Sequence, residues 1–477
     1  MIQGTGSNVG KSLLVAGLCR HFTNQGLKVR PFKPQNMSNN AAVTADDGEI
    51  GRAQALQAIA CKTEPTIHMN PVLLKPEGET GSQLIVQGKR KGSFKARDFY
   101  QQKQDLMQPV LQSYEVLKQE ADLVIVEGAG SASEMNLRQN DIANMGFALR
   151  ANLPVYLAAD IDRGGVLASI VGTHALLPQK ERALIKGYII NKFRGDPSLF
   201  TSAQDLITEH TSWPSLGVCP WFQEANLLPA EDSQDLETSQ TQHSGTIKIA
   251  VPITPRIANF DDLDPLKSEP NVELHLIKPG TPLPLDADLI ILAGSKATIS
   301  DLLFLYEQGW DTDIKAHVRR GGFVLGLCGG YQMLGTTIKD PLKLESRHEE
   351  IKGLGLLNIE TTLEPNKTLT QTTATFKDCS LTAYKMHMGK TNGDDCNRPL
   401  FTTPSGPEGA RSETGTIMGT YLHGLFQEDT FREKFLQTIK QNHTSSVRYK
   451  NQIETTLDKF AAHLNTHLKL DDLTSQL

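Results

Sequence analysis

The sequence has no excess of positive charge and no long apolar run. Its formal net charge is -6 and its pI is near 6.1, so it lacks the basic footprint of a nucleic-acid-binding domain. No stretch approaches the roughly 18 apolar residues of a membrane-spanning helix. The first residues show neither the basic nor the apolar part of a signal peptide. We therefore expect a cytoplasmic protein with neither nucleic acid nor membrane as a partner.

The sequence also lacks any paired spacing among its 6 cysteines, so neither a disulfide framework nor a zinc site is indicated. At 477 residues, 39% hydrophobic and 21% charged, the chain is typical of a soluble globular protein with two or three domains. Its mild acidity fits an enzyme of small anionic ligands with locally electropositive pockets. The composition leaves the oligomeric state open.

Short apolar runs recur along both halves of the chain, and in the first half polar or glycine-containing turns follow them. Runs of this length, rich in Val and Ile, predict buried strands of a parallel sheet with helices between them. Ligands of such sheets bind where the strands end. The runs are Leu123–Val126, Val155–Ala159, Gly187–Ile190, Ile247–Ile253, Leu289–Ala293 and Phe323–Leu327.

A polar, acidic stretch separates the two sets of runs and predicts a linker at residues 231–246. We therefore predict two α/β domains, at residues 1–230 and 247–436. Residues 437–477 are predicted to form a C-terminal tail with an amphipathic helix around Thr455–Leu468.

The segment Gly4–Ser12 has the composition of a phosphate-binding loop, and a helical pattern follows it. Its small residues let backbone N–H groups approach a phosphate, Lys11 supplies a cation, and Ser12 can bind Mg²⁺. Five residues separate the first glycine from Gly10, one more than in the strict P-loop. This longer loop resembles that of the dethiobiotin-synthetase-like ATPases. We expect ATP and Mg²⁺ as cofactors.

Only Met1–Gln3 precede this loop, whereas a first strand usually has about five residues. The strand is then either very short or cut by a chain start that was set a few residues late, and we favour the second explanation.

Several acidic residues could complete a magnesium site. Glu127 ends an apolar run, where a buried charge needs a partner. Asp46, Asp47 and Glu49 lie together in a glycine-containing loop, and the sequence leaves open which of them binds metal.

Cys328 lies between Gly-Leu and Gly-Gly, directly after an apolar run. This setting resembles a nucleophile elbow, in which glycines tolerate a strained turn that exposes the sulfur. The Gly329 backbone N–H is placed to stabilise an oxyanion. A nucleophilic cysteine needs a base, and His423, which follows a short apolar strand, is the best candidate. His387 is the alternative base.

Long sequence strings beyond these motifs resemble the cobyric acid synthase family, the amidating enzymes of cobalamin biosynthesis. The resemblance runs nearly from end to end and is more specific than either catalytic motif. The strings are Phe32–Met37, Gly48–Gln54, Met69–Pro76, Val126–Ser131, Asp141–Gly146, Ala159–Gly165, Gly294–Thr298, Gly329–Gly335 and Tyr421–Phe426.

The resemblance implies a P-loop, dethiobiotin-synthetase-like amide synthase domain joined to a class I (triad-type) glutamine amidotransferase domain. It also implies glutamine as nitrogen donor and a corrinoid as acceptor, namely adenosylcobyrinic acid a,c-diamide. Four propionates (b, d, e and g) would be amidated through acyl phosphates to give adenosylcobyric acid.

The residue roles that this resemblance implies agree with the chemistry of the motifs. Cys328 and His423 would release ammonia, with Gly294 and Gly329 at the oxyanion. The remaining roles are ATP binding by Gly10, Lys11, Ser12 and Asn191, with Asn191 at the adenine, and metal binding by Ser12, Asp46, Glu49 and Glu127.

One position departs from the common amidotransferase pattern. Leu425 stands where the triad acid is expected, two residues after His423. We therefore predict a Cys–His dyad whose histidine is oriented by another group. Two alternative functions stay open: the sister enzyme that makes the a,c-diamide, and a ParA-like ATPase switch with an inactive amidotransferase domain.

Overall fold

The computed structural model describes residues 1–76, 81–229 and 245–474. The chain forms two compact units. The first comprises Met1–Ser38, Thr44–Leu228 and Ile453–Leu477, and the second comprises Asn39–Val43 and Pro229–Gln452. Nearly all of the predicted linker falls on residues 230–244, outside the described residues, so the predicted domain borders stay a prediction.

The first unit is built on parallel strands. Strands β1, β10, β11 and β12 pair in that order, and the β2–β9 pair joins them through a bridge between Ile2 and Glu127. Strands β3, β6, β7 and β8 form a second, mainly antiparallel sheet. The strands up to residue 228 are β1 (Ile2–Gly4), β2 (Val29–Phe32), β3 (Gln35–Met37), β4 (Ala41–Val43, grouped with the second unit), β5 (Glu49–Gly51), β6 (Val72–Pro76), β7 (Gly81–Val86), β8 (Lys89–Lys95), β9 (Leu123–Val126), β10 (Val155–Asp160), β11 (Ile185–Phe193) and β12 (Ser215–Pro220).

Helices cover these sheets and bury their apolar side chains. Leu157 and Ile190 of the parallel sheet pack with Ile170 of helix α5 (Val166–Leu176) in one core cluster. The other helices of this part are α1 (Lys11–Asn24), α2 (Arg52–Ala60), α3 (Ala96–Glu120), α4 (Met145–Ala151), α6 (Gln179–Arg182) and α7 (Thr201–Thr211).

The second unit contains a six-stranded sheet in the order β15-β13-β16-β18-β26-β25, parallel except for its last strand. Its strands are β13 (Ile247–Pro252), β14 (Ile257–Ala258), β15 (Val272–Ile277), β16 (Leu289–Leu292), β17 (Gly294–Ser295), β18 (Phe323–Leu327), β19 (Thr337–Lys339), β20 (Glu350–Lys352), β21 (Glu360–Phe376), β22 (Cys379–Asn392), β23 (Phe401–Thr403), β24 (Gly406–Glu408), β25 (Ala410–Arg411), β26 (Ile417–Thr420) and β27 (Leu422–His423). Its helices are α8 (Asp264–Lys267), α9 (Thr298–Glu307), α10 (Trp310–Arg319), α11 (Gly329–Leu334) and α12 (Asp429–Ile439).

A long antiparallel hairpin, β21–β22, lies beside this sheet. Seven threonines in β21 favour an extended strand, because β-branched side chains pack well on a pleated surface. The tight turn between the strands places Lys377 at a φ of +53°. Strand β22 then pairs with β27, with Tyr384 opposite His423, so the hairpin reaches the predicted catalytic base.

The chain ends in helix α13 (Tyr449–His467) and the short helix α14 (Asp471–Thr474). The predicted amphipathic helix is confirmed, with Phe460, Leu464 and Leu468 buried. From Ile453 onward it belongs to the first unit, where it packs on α1. A Cβ at Gly17 of α1 would lie 2.5 Å from Leu464 Cδ1, so a larger residue there would force the side chains of the C-terminal helix to shift.

The predicted fold class is confirmed: parallel α/β sheets with crossover helices occur in both units, and the predicted runs form strands. In the part of the chain that the structure describes, no helix is both long and apolar enough to cross a membrane.

We expect Gly17→Ala to lower the free energy of unfolding of the first unit by about 1–3 kcal/mol, because the added methyl group overpacks the contact between α1 and α13. Gly172→Ala is the matched control, since it changes another helical glycine with no atom within 4 Å of the new methyl group. Helix propensity alone makes that change neutral or stabilising by up to about 1 kcal/mol. Thermal unfolding of both variants measures the difference, and equal stability would contradict the tight contact.

Candidate functional site

Cys328 lies at the sharp turn between β18 and α11. Its φ is +52° and its ψ is -107°, an unfavourable backbone conformation for a residue other than glycine. The turn is held by the hydrogen bond from the Cys328 N–H to the Thr420 carbonyl, at 2.8 Å. A Cβ at Gly330 would lie 2.0 Å from the Leu292 carbonyl oxygen, so the helix starts too close to the sheet for any side chain there. The glycines around Cys328 are therefore required by the elbow.

His423 is held by a buried carboxylate, Asp262. The Nδ1 atom of His423 lies 2.6 Å from Oδ2 of Asp262, and the other carboxylate oxygen accepts the Gly424 N–H at 2.6 Å. Asp262 is 2% and His423 is 1% exposed, so water competes little for this bond. Both oxygens of one carboxylate thus fix the ring and the backbone beside it.

Asp262 supplies the orienting group that the sequence left unidentified. It lies in a 3-10 helix, Phe260–Leu263, 161 positions before His423. Leu425, at the position of the usual triad acid, is buried in the hydrophobic core. The arrangement is a Cys–His–Asp constellation whose acid comes from a distant loop, and no local spacing in the sequence marks it.

The charge of Asp262 determines the protonation of His423. Burial by itself lowers the pKa of His423, but the adjacent carboxylate and the Cys328 sulfur more than offset this effect and raise it to about 10. The site therefore favours an imidazolium, the form that a base adopts after it has taken the proton of a thiol.

The thiol of Cys328 donates to the Met386 carbonyl, with a sulfur–oxygen distance of 3.3 Å. The Nε2 atom of His423 is buried, and within the described residues it has no hydrogen-bond partner. Cys328 is nevertheless close enough to contribute to the raised pKa of His423. Rotation of the thiol hydrogen from the Met386 carbonyl towards Nε2 would join nucleophile and base.

The predicted oxyanion residues lie beside the elbow. A Cβ at Gly294 would lie 3.6 Å from Cε1 of His423, and one at Gly329 would lie 2.9 Å from the Ser295 amide nitrogen. Asp301 positions the Gly294–Ser295 segment, because its Oδ2 accepts a hydrogen bond from the Ser295 hydroxyl at 2.7 Å. The structure thus brings Gly294, Gly329 and His423 together around Cys328.

Strand β22 of the hairpin places one aromatic ring against His423. Tyr384 stacks on the His423 ring, with centroids 5.2 Å apart and an interplanar angle of 20°. The alternative base, His387, stacks instead on Tyr421, with centroids 3.7 Å apart. Burial, with nearby positive charge, lowers the pKa of His387 to about 3, which makes it a poor proton acceptor. These observations favour His423 as the base.

A buried ion pair ties the segment that carries Asp262 to the segment that carries His423. Arg432 is fully buried and donates to Glu269 Oε1 at 2.5 Å and to the Phe426 carbonyl at 2.7 Å. Glu269 follows Asp262 by one short helix, and Phe426 follows His423 by three residues. Arg432 contacts both and therefore fixes the distance between the two segments.

In the first unit, Gly4–Ser12 forms the predicted loop between β1 and α1. Gly10 adopts a φ of +89° at the start of the helix. Lys11 Nζ donates to the carbonyl oxygens of Gly6 at 3.1 Å and Gly130 at 2.8 Å. A Cβ at Gly4 would lie 2.8 Å from that ammonium group, so the glycine makes room for the lysine.

Glu127 is buried at the end of β9 and is the centre of a polar cluster beside this loop. Its Oε1 accepts from the Ser12 hydroxyl at 2.6 Å and from the Lys33 ammonium group at 2.7 Å. Its Oε2 accepts from Gln57 at 2.7 Å and, at 3.4 Å, from Gln54. The predicted pair of Ser12 and Glu127 is therefore brought together. Sequence reasoning missed Lys33, although it lies within one of the family strings.

The other predicted metal residues have different surroundings. Glu49 forms a buried ion pair with Lys75, at 2.7 Å, and Asp46 is exposed and accepts from the Thr44 hydroxyl at 2.5 Å. Throughout the described ranges, no group of three or more His, Cys, Asp or Glu residues could hold a metal ion. Asp46, Glu49 and Glu127 thus do not form one such group.

Asn191, predicted to read adenine, follows the apolar part of β11 and lies against the phosphate-binding loop. Its side-chain amide donates to the Val9 carbonyl at 2.8 Å. A Cβ at Gly10 would lie 2.4 Å from the same amide nitrogen. The amide is therefore fixed at the edge of the loop.

Comparison with known proteins defines the class of both units. Residues 1–235 match the CobQ/CobB/MinD/ParA nucleotide binding domain family, and residues 248–431 match the CobB/CobQ-like glutamine amidotransferase domain family. A nucleotide-binding domain joined to a glutamine amidotransferase, together with the site around Cys328, defines a glutamine-dependent amide ligase.

Relatives identify the family. A cobyric acid synthase from Allorhizobium ampelinum is 56% identical over 98% of this chain and 97% of its own length. Cobyric acid synthases from Brucella suis and a Sinorhizobium species are 54% and 52% identical, each over 99% of this chain and 98% of their own lengths. The chain belongs to the cobyric acid synthase family.

We expect Asp262→Asn to lower glutamine hydrolysis by roughly 10³- to 10⁴-fold, because an amide cannot stabilise the imidazolium and holds the wrong tautomer. Asp264→Asn, a change of a nearby acid in the same segment, is the control and should keep near-normal activity. Release of glutamate by each variant is the measurement. Equal loss in both variants would show that Asp262 has no specific role.

The same pair predicts a pH-dependent contribution to stability. The pKa of His423 is raised from 6.5 to about 10, so the pairing stabilises the fold fully below about pH 6.5 and loses this effect as the pH rises through about 10. The difference in melting temperature between wild type and Asp262→Asn should therefore be largest near pH 6 and should shrink towards pH 10. A difference in melting temperature that is constant or grows with pH would contradict a raised pKa of His423 caused by Asp262.

Proposed function

We propose that this chain amidates the b, d, e and g propionates of adenosylcobyrinic acid a,c-diamide to give adenosylcobyric acid, using glutamine and ATP. One observation carries the proposal: 56% identity to a cobyric acid synthase over 98% of the chain. The constellation around Cys328 and the Lys11 loop support it, because they provide the two chemistries that the reaction requires.

In the glutaminase half-reaction, the Cys328 thiol loses its proton to His423 and its sulfur attacks the side-chain amide carbon of glutamine. Backbone N–H groups near Gly294 and Gly329 stabilise the oxyanion. His423 then returns the proton to the departing nitrogen, which leaves as ammonia. Water hydrolyses the remaining thioester and releases glutamate. Asp262 keeps the ring oriented through both proton transfers.

In the synthase half-reaction, the γ-phosphoryl group of ATP passes to a propionate carboxylate, and ammonia displaces phosphate from the acyl phosphate. Lys11 and the loop N–H groups bind the phosphates. Lys33 provides a second buried ammonium group within reach of the same site, and it neutralises charge on the transferred group.

The residues around Glu127 fit a magnesium ion, since the Ser12 hydroxyl and the Glu127 carboxylate lie 2.6 Å apart and Mg²⁺ prefers oxygen ligands. Mg²⁺ would neutralise charge on the phosphates of ATP. Lys33 shares the Glu127 oxygen that Ser12 contacts, so we infer that Lys33 turns towards a phosphate when ATP and metal bind. Asp46 and Glu49 stay candidates for completing the metal shell.

We expect Cys328→Ser to abolish glutamine-dependent synthesis and to keep synthesis from added ammonium salts, because only the release of ammonia needs the thiol. Cys379→Ser, a buried thiol of the same unit, is the control and should keep both activities. Lys11→Ala should show the opposite pattern, with glutamine hydrolysis retained and amide formation lost. Loss of both activities in a folded Cys328→Ser protein would contradict this division of labour.

Mass spectrometry of the corrinoid products tests the acceptor. With adenosylcobyrinic acid a,c-diamide, glutamine and Mg-ATP, we expect four successive increments of one amidation each. No mass change with this acceptor, but two amidations of cobyrinic acid, would instead identify the sister enzyme that makes the a,c-diamide.

A further inference from the structure

A cleft of about 80 Å³ borders the phosphate-binding loop where β11 and β12 end. The loop contributes Gly10, α1 contributes Leu13 and β11 contributes Asn191 to its walls. The segment after β12 contributes Trp221 and Phe222. Because Gly10 directly precedes Lys11, a group in this cleft lies within reach of a ligand whose phosphates occupy the loop.

The last wall of the cleft is Phe460, a residue of the C-terminal helix α13. Phe460 is 2% exposed and packs against Phe222, with ring centroids 4.9 Å apart. Two further contacts hold the helix beside the cleft. His463 Nε2 lies 2.9 Å from the Pro220 carbonyl oxygen, and the buried Arg20 of α1 pairs with Glu454 at 2.6 Å.

The chemistry of these walls fits a planar, polar-edged ring. Phe222 offers apolar aromatic surface and is supported by the buried ring of Phe460. Asn191 lines the same cleft, and its side-chain amide is held there by the Val9 carbonyl. Trp221 stands at the same cleft with 43% of its surface exposed, and the Arg194 guanidinium lies 3.9 Å from its ring centroid. A large exposed indole held by a cation is an open stacking surface next to a small apolar cleft.

We propose that the C-terminal helix is part of the nucleotide site and that Phe460, with Phe222 and Trp221, forms the subsite for the purine base of ATP. The cleft admits the edge of the ring, and the exposed indole of Trp221 covers the part that stays outside. This inference rests on the proposed function, because it requires that the loop at Lys11 binds ATP. It goes further by assigning a ligand-binding role to residues of the predicted tail.

The test compares two ligands that share phosphates and differ in the base. Binding of ADP and of inorganic tripolyphosphate is measured by calorimetry for the wild type and for Trp221→Ala, Phe460→Ala, Leu464→Ala and Lys11→Ala. Trp221 is exposed, so its replacement leaves the fold intact. Leu464→Ala is the matched control for Phe460→Ala. Leu464 lies on the same helix as Phe460, is fully buried and packs on Gly17 of α1 as Phe460 does, but it does not line the cleft.

We expect Trp221→Ala to weaken ADP binding roughly tenfold, since stacking on an aromatic side chain contributes this much to base binding. Phe460→Ala should weaken it by a similar factor, because Phe222 loses the ring that supports it in the cleft. Both variants should bind tripolyphosphate as the wild type does. Leu464→Ala should leave the binding of both ligands unchanged, and Lys11→Ala should weaken both.

The proposal is overturned if Trp221→Ala and Phe460→Ala bind ADP normally while Lys11→Ala does not, a result that keeps the proposed function. It is also overturned if Leu464→Ala weakens ADP binding as much as Phe460→Ala does while Trp221→Ala has no effect on it. Failure of the wild type to bind ADP would overturn the proposed function itself.

Discussion

The hydrogen bond between Asp262 and His423 is the interaction on which the glutaminase site depends. A buried imidazole tends to lose its charge, and the carboxylate 2.6 Å away reverses this tendency. The surrounding structure maintains that distance. Arg432 ties together the segments that carry the two residues, and Tyr384 of the hairpin stacks on the ring. The long hairpin and the C-terminal part of this unit thus position a proton-transfer pair.

In the first unit, too, a buried charge is stabilised by a neighbour of opposite charge, but the central group there is a carboxylate. Here the buried carboxylate of Glu127 is balanced by the Lys33 ammonium group and by three neutral donors. An anion such as a phosphate competes with Glu127 for that ammonium group, whereas a divalent cation competes with Lys33 for the carboxylate. Loss of either partner alone would leave a buried charge unpaired, whereas an anion and a cation that bind together would keep both charges balanced.

Much of the fold and of the two sites could be predicted from the sequence, because the informative patterns are local. The run Leu123–Val126 forms a strand with those bounds, and the Cys328 elbow and the Lys11 loop follow from glycines close in sequence. Contacts between distant segments could not be predicted. Asp262 stands in a short 3-10 helix with no periodic pattern, 161 positions from its partner. Likewise, Phe460 reads as an ordinary apolar residue of an amphipathic helix, and only folding places it at the cleft beside Gly10.

In the proposed reaction, nitrogen released at Cys328 becomes the amide nitrogen of a corrinoid whose carboxylate is activated at the Lys11 loop. The most direct measurement supplies glutamine labelled with nitrogen-15 in its side-chain amide, together with Mg-ATP and adenosylcobyrinic acid a,c-diamide, and determines the label in each product by mass spectrometry. All four new amides should carry nitrogen-15. Products whose new amides lack the label, or label that remains entirely in free ammonia while the corrinoid is unchanged, would contradict the proposed reaction.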